Sequence, residues 1–276
     1  MLRPAYKSLR SLRSFSTTAS ATMKVLPVQA RSDNWMYIVV DEASGEAAVV
    51  DPYDAPKLAQ RVKEEGVKVC WAVTTLITTH HHNDHSGGNL AFLDLHPGIK
   101  AVGGSNQGPG TNTIVKDGDE FKLGSLDVKA LATPCHTQDS ICFFVEDKAK
   151  GQRGVFTGDT LFLAGCGRFF EGNAAEMNAA LSKLAKLPED TLVYNGHEYT
   201  TGSAKFGLAI EPENAALKGL FERSQTDKVT TGKSTIGDEK KWNVFIRLDT
   251  PEAKKATGET EPLKVLAKLR ELKNSF

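Results

Sequence analysis

Cysteine is scarce in this chain, and the four present (Cys70, Cys135, Cys142, Cys166) include no C-x-x-C pair. That excludes a disulfide scaffold and reads as free thiols in a reducing compartment. Long apolar runs are also missing, and none approaches the ~18 residues that span a bilayer. Net charge is absent as well: Lys+Arg and Asp+Glu both number 34, so nothing draws the chain toward nucleic acid or an acidic membrane surface. What remains is 276 residues with 40% hydrophobic content. That suits one large domain, or a large one followed by a small one. Neither an internal repeat nor a low-complexity tract is visible.

Acid is missing from the N-terminus, where the first acidic residue is Asp33. The opening "MLRPAYKSLRSLRSFSTTASAT" carries Arg3, Lys7, Arg10 and Arg13 among many Ser and Thr. Leu2, Tyr6, Leu9 and Leu12 recur at roughly helical spacing. A basic, Ser-rich, acid-poor segment without a secretory apolar core predicts a mitochondrial transit peptide over residues 1–22. Met23 opens "MKVLPVQA", where the fold is expected to begin, so a second start there would give a cytosolic form.

From Met23 to His197, short β-rich runs alternate with turns and a few helices. Strands are expected at 35–40, 46–51, 126–131, 141–146, 153–159 and 191–197. Helices fit 55–66, with Pro56 in its first turn and Gly66 as its cap, and 173–187. Grouped strands with interspersed helices predict packed sheets flanked by helices, an α/β arrangement. After His197 the texture becomes helical, at 203–225 and 261–272, around a polar, turn-rich stretch at 226–260.

The densest signal is "TTHHHNDHSGGN", residues 78–89, directly behind the apolar run "VCWAVTTLITT". Residues two apart on an extended segment point the same way, so His80, His82 and Asp84 should project together. His85 follows as the chain turns through "SGG". Neutral imidazoles with a carboxylate are ligands that zinc and related divalent ions favour. Three further runs end in a ligand-type side chain: "LATPCHTQDS" in His136, "GVFTGDT" in Asp159 and "LVYNGHE" in His197. Seven candidates exceed one tetrahedral ion and suit two ions sharing a bridge, for which Asp159 is the candidate. His81 and His96 fall outside the pattern, and Cys135 is expected to be structural.

T-H-x-H-x-D-H, with a later His, Asp and His at strand ends, resembles the metallo-β-lactamase superfamily, whose fold is an αββα sandwich. "TGDTLFLAGCGRFFEGNAAEM", "NGHEYT" and the C-terminal "LRELK" are similar to the glyoxalase II (hydroxyacylglutathione hydrolase) family. The resemblance covers residues 23–276. It implies a metal-binding domain over 23–197 and a small helical glutathione-binding domain over 198–276. It places His80, His82 and His136 on one divalent ion and Asp84, His85 and His197 on the other. Asp159 and a hydroxide would bridge them, with Asp84 and Asp159 acting catalytically through that hydroxide. Zinc is the expected metal, with iron and manganese as alternatives. Arg168, Phe170, Tyr199, Arg270 and Lys273 would bind substrate, the last two sharing a helix face at i, i+3. Phe170 stands where the family commonly has tyrosine, which removes one hydroxyl.

The implied reaction is hydrolysis of S-(2-hydroxyacyl)glutathione to glutathione and a 2-hydroxy acid such as D-lactate, in methylglyoxal detoxification. A small-molecule partner, a monomeric state, and neither nucleic acid nor membrane are expected. Two alternatives stay open: a mononuclear-iron persulfide dioxygenase of the same superfamily, and a non-catalytic partner-binding protein on this scaffold.

Overall fold

The computed structural model describes residues 22–66 and 71–276. The expected transit segment, apart from Thr22, and Cys70 lie outside the described residues. A first sheet holds six strands in sequential order: β1 (Met23–Gln29), β2 (Trp35–Asp41), β3 (Glu46–Val50), β4 (Ala72–Ile77), β5 (Lys100–Gly103) and β6 (Thr113–Ile114). Helix α1 (Ala55–Gly66) crosses from β3 to its parallel neighbour β4. The short helices α2 (Asn83–Ser86) and α3 (Asn89–Leu95) follow β4.

The second sheet is built from β7 (Glu120–Leu123), β8 (Leu126–Ala132), β9 (Ile141–Asp147) and β10 (Gln152–Gly158). A small hairpin, β11 (Leu161–Phe162) with β12 (Gly165–Cys166), then leads to α4 (Ala174–Leu184). Strand β13 (Leu192–Asn195) returns parallel to β10 and completes the sheet. The remainder is helical: α5 (Thr200–Ile210), α6 (Ala215–Thr226), α7 (Ile236–Trp242), α8 (Pro251–Thr257) and α9 (Pro262–Asn274).

Strand alternation builds the layers. Tyr37 and Val39 of β2 point into a core between the sheets, meeting Val128, Phe143 and Phe156. Met36, Ile38 and Val40 point the other way and are covered by Leu58 and Val62 of α1 and Phe92 of α3. The outer face of the second sheet, through Leu131, Val155 and Val193, packs against Met177 and Leu181 of α4 and Leu266 and Leu269 of α9. Helix–sheet–sheet–helix is the αββα sandwich that the resemblance implies.

Three expectations need correction. The 203–225 stretch is two helices, because Pro212 lies in the break at 211–214 and removes a helical N–H. The polar 226–260 stretch contains α7 and α8. A Thr235/Asp238 capping box starts α7; Thr250 caps α8, which has Pro251 in its first turn and ends at left-handed Gly258. Gly66 is the last residue of α1 rather than a cap beyond it.

Candidate metal centre and cleft

Every candidate ligand sits at or just beyond the C-terminal end of a strand. His80, His82, Asp84 and His85 follow β4, His136 follows β8, Asp159 follows β10 and His197 follows β13. Extended alternation accounts for His80 and His82 only. At Asn83 the chain enters α2, so helical geometry, not a continued strand, aims Asp84 and His85. This corrects the reasoning but not the convergence.

Among the described residues three groups of donor atoms each lie within 4.8 Å of one another: the triads His80/His82/His136 and Asp84/His85/His197, and His80/His85/Asp159, which links the two triads. Asp159 faces both. Its Oδ2 is 3.4 Å from His136 Nε2 and 3.3 Å from His197 Nε2, and its Oδ1 is 3.3 Å from His85 Nε2. Gly196 must be glycine, since a Cβ there would collide with the Asp159 carboxylate and His85. His80 Nε2 is buried without a hydrogen bond, as is Asp159 Oδ1. Unpartnered buried donor atoms are costly unless something else satisfies them. With an all-imidazole and carboxylate donor set, they fit divalent ions in this place.

Second partners hold the rings. Asp51, at φ 50°, faces His85 Nδ1 at 3.0 Å and accepts from the Thr79 backbone N–H at 2.8 Å and its hydroxyl at 2.6 Å. Asp33 faces His197 Nδ1 at 2.8 Å, the Arg168 carbonyl faces His136 Nδ1 at 3.0 Å, and Asn34 donates to Asp84 at 3.1 Å. These contacts fix which ring nitrogen is left for a cation. None of Asp33, Asn34 or Asp51 stood out in sequence; only "AVVD", a strand ending in an acid, hinted at Asp51.

The electrostatics divide the two triads. Burial, then the neighbouring His85, pushes His80 well below the ordinary histidine value. Burial likewise lowers His82 and His136. For His85 and His197, burial is outweighed, chiefly by the Asp159 carboxylate, and both are raised. Asp159 is held well below the usual carboxylate range: burial opposes ionisation, but His85 and His197 prevail. His81 lies outside the triads, paired with Asp139 at 2.8 Å, and His96 stacks on Phe92. Cys135 is buried and its thiol donates to the Asn173 carbonyl, a structural role.

A cleft of about 380 Å³ opens beside Asp159 and His136. Arg168, Phe170, Tyr199, Arg270 and Lys273 all line it, together with Phe162, Cys166 and Ser203, which sequence reasoning had not singled out. Phe170 is exposed and sets its ring edge-on to His82 and His136. Tyr199 stacks on His197 at 4.7 Å. Arg270 is buried, donating to the Cys166 carbonyl at 2.8 Å and lying over Phe245. Lys273 is half-buried and donates to the Gly202 carbonyl at 2.9 Å. Arg270 is therefore not part of a solvated helix end. Its guanidinium Nε is buried with no partner.

Two sheets between helices, with histidine and aspartate converging at strand ends, define the metallo-β-lactamase superfamily. The family model of that name matches residues 31–197, and the chain belongs to the superfamily. A second model, hydroxyacylglutathione hydrolase C-terminus, matches residues 198–276. A probable hydroxyacylglutathione hydrolase of Schizosaccharomyces pombe is 45% identical over 88% of this chain and 94% of its own length. The cytoplasmic hydroxyacylglutathione hydrolase of Arabidopsis thaliana is 40% identical over 92% and 99%. Among solved structures, ETHE1 from Myxococcus xanthus superposes with a TM-score of 0.64 at 27% identity, covering 91% of this chain and 90% of its own. Within the superfamily, the chain is a member of the hydroxyacylglutathione hydrolase family, also called glyoxalase II.

Proposed function

We propose that this enzyme hydrolyses the thioester of S-(2-hydroxyacyl)glutathione, with S-D-lactoylglutathione as substrate and glutathione and D-lactate as products. The observation that carries the reading is the cationic cleft, with Arg168, Arg270 and Lys273, opening directly onto the ligand triads. The relatives' names support it independently. His80, His82 and His136 would hold one divalent ion, Asp84, His85 and His197 a second, and Asp159 both. Zinc suits these ligands, with iron or manganese as alternatives. Two such ions would supply a water that ionises near neutral pH and an electrophile for the carbonyl oxygen.

The chain's own residues do the rest. Arg270, Lys273 and Arg168 offer positive charge to the two carboxylates of glutathione, and Tyr199 a hydroxyl. The leaving group is a thiol of pKa about 8.5, which departs as thiolate without a strong general acid. Asp84 and Asp159 are therefore free to serve as ligands rather than proton donors. Residues 23–197 thus supply the metal site with Arg168 and Phe170, and 198–276 the rest of the glutathione handle. The partner is a small molecule alone, taken by a monomer with no nucleic acid or membrane. Residues 1–22 direct the full chain to mitochondria, and a chain begun at Met23 stays in the cytosol.

Purified protein assayed on S-D-lactoylglutathione, with metal content measured on the same sample, tests the reading. Oxygen uptake with glutathione persulfide would favour the dioxygenase instead, and absence of metal the non-catalytic scaffold.

A further inference from the structure

One buried acid plays no part in the chemistry above. Glu239 lies in α7, fully buried, outside the metal centre. Three N–H groups converge on its carboxylate: the Ala164 backbone at 3.0 Å, Trp242 Nε1 at 2.8 Å and Asn243 Nδ2 at 2.9 Å. All three donors are uncharged. Asn243 in turn donates to the Gly165 carbonyl at 3.0 Å and the Phe162 carbonyl at 3.4 Å. The end of α7 therefore grips the β11–β12 hairpin at Phe162, Ala164 and Gly165.

The hairpin needs a grip. Ala164 at its tip has φ 56°, a left-handed conformation that an alanine rarely adopts and that its surroundings must enforce. The hairpin also builds one wall of the cleft. Phe162 and Cys166 line it, the Cys166 carbonyl receives Arg270, and Gly167 and Arg168 continue the wall. Asn243 Oδ1 accepts from the Phe245 N–H, and Phe245 is the ring under Arg270. One hydrogen-bonded unit thus fixes both the wall and the support of the arginine.

We propose that Glu239, acting with Asn243, is a positioning residue for substrate: it holds the β11–β12 hairpin in the shape that seats the glutathionyl part, without acting on the metals. The inference rests on the proposed hydrolysis only for its kinetic readout. Glu239→Gln keeps the shape but leaves one acceptor oxygen for three N–H donors, so the grip on the hairpin loosens. The KM for S-D-lactoylglutathione should then rise by about ten-fold with kcat within about two-fold, as for a lost ground-state contact. Two metals should remain, and a small thioester lacking the glutathionyl part should react as in wild type. Hydrogen exchange at the Ala164 amide, which needs no activity, should quicken. Adding Ala164→Gly, which removes the conformational strain, should recover part of the lost KM.

Should Glu239→Gln not fold, Asn243→Ala carries the same test, since it frees the Phe162 and Gly165 carbonyls. An unchanged KM with unchanged exchange overturns the inference, as does loss of metal or a fall in kcat alone. A wild type inactive on the glutathione thioester would instead overturn the proposed function, leaving the exchange result to judge the hairpin.

Discussion

At the residue scale, Asp159 carries the strongest expectation. Its carboxylate faces His136 on one side and His85 and His197 on the other, so both triads depend on it. Asp159→Ala should bind less metal and lose at least roughly a hundred-fold in kcat, while circular dichroism still reports the native fold. Full activity would sink the two-ion assignment. Asn83, exposed beside the ligands, should tolerate alanine with its metals intact. Arg270 and Lys273 separate in a way their spacing conceals. Lys273 is half-buried, so Lys273→Ala should raise KM by roughly five- to thirty-fold with kcat unchanged, an effect that salt weakens. Arg270 is buried over Phe245, so its contact should resist salt, and Arg270→Ala should also lower Tm by removing packing. Steady-state kinetics at two ionic strengths beside a melting curve distinguish the two.

At the element scale, the ligand-bearing runs were legible because each joins a β-rich stretch to a turn that ends in His or Asp. The short turn α2 was not, since four residues are too few to show a helical period. β1 was hidden by Pro27, which an edge strand can accommodate because one side of it needs no partner. Helices α7 and α8, seven residues each, carry capping signals rather than apolar stripes, and a search for periodicity passes over them. Capping also yields a test. Asn173 accepts from the N–H groups of Ala175 and Glu176, while Glu176 accepts from the Asn173 N–H, starting α4. Asn173→Ala should cost about 1 kcal/mol by denaturant unfolding. Its kcat should not move, because the cap touches no ligand.

The two triads also differ in their response to acid. His80, His82 and His136 are lowered, so they remain neutral, and able to bind a cation, below the ordinary histidine value of about 6.5. His85 and His197 are raised, so in the metal-free chain they hold protons above that value and must release them to bind. As pH falls from neutral, the Asp84/His85/His197 position should therefore empty first. Metal content measured from pH 8 downward should pass through a plateau near one ion per chain. Simultaneous loss of both would contradict the division.

For the whole molecule, the question is whether the helical region after His197 is an addition to a finished sandwich or part of it. Sequence texture suggested a smaller helical domain after the first, because polarity and helical pattern change together at that point. The core ties the two together. Leu131, Val155 and Val193 of the second sheet share one apolar cluster with Met177 of α4, Phe206 of α5, Phe245, and Val265 and Leu266 of α9. Periodicity along a chain cannot reveal that, since it registers which face is apolar and not what covers it. A chain ending at His197 would keep α4 but bare the part of that face covered by α5, Phe245 and α9, and would lose the Glu239 and Asn243 grip on the hairpin as well. Large bare apolar faces drive association rather than stable monomers. The truncated chain should therefore be insoluble or bind a hydrophobic dye, with no cooperative melting transition. Supplying residues 198–276 as a separate chain during refolding should recover soluble, metal-binding protein. A soluble, cooperatively melting 23–197 fragment that binds two metals would show the sandwich to be complete without its helices.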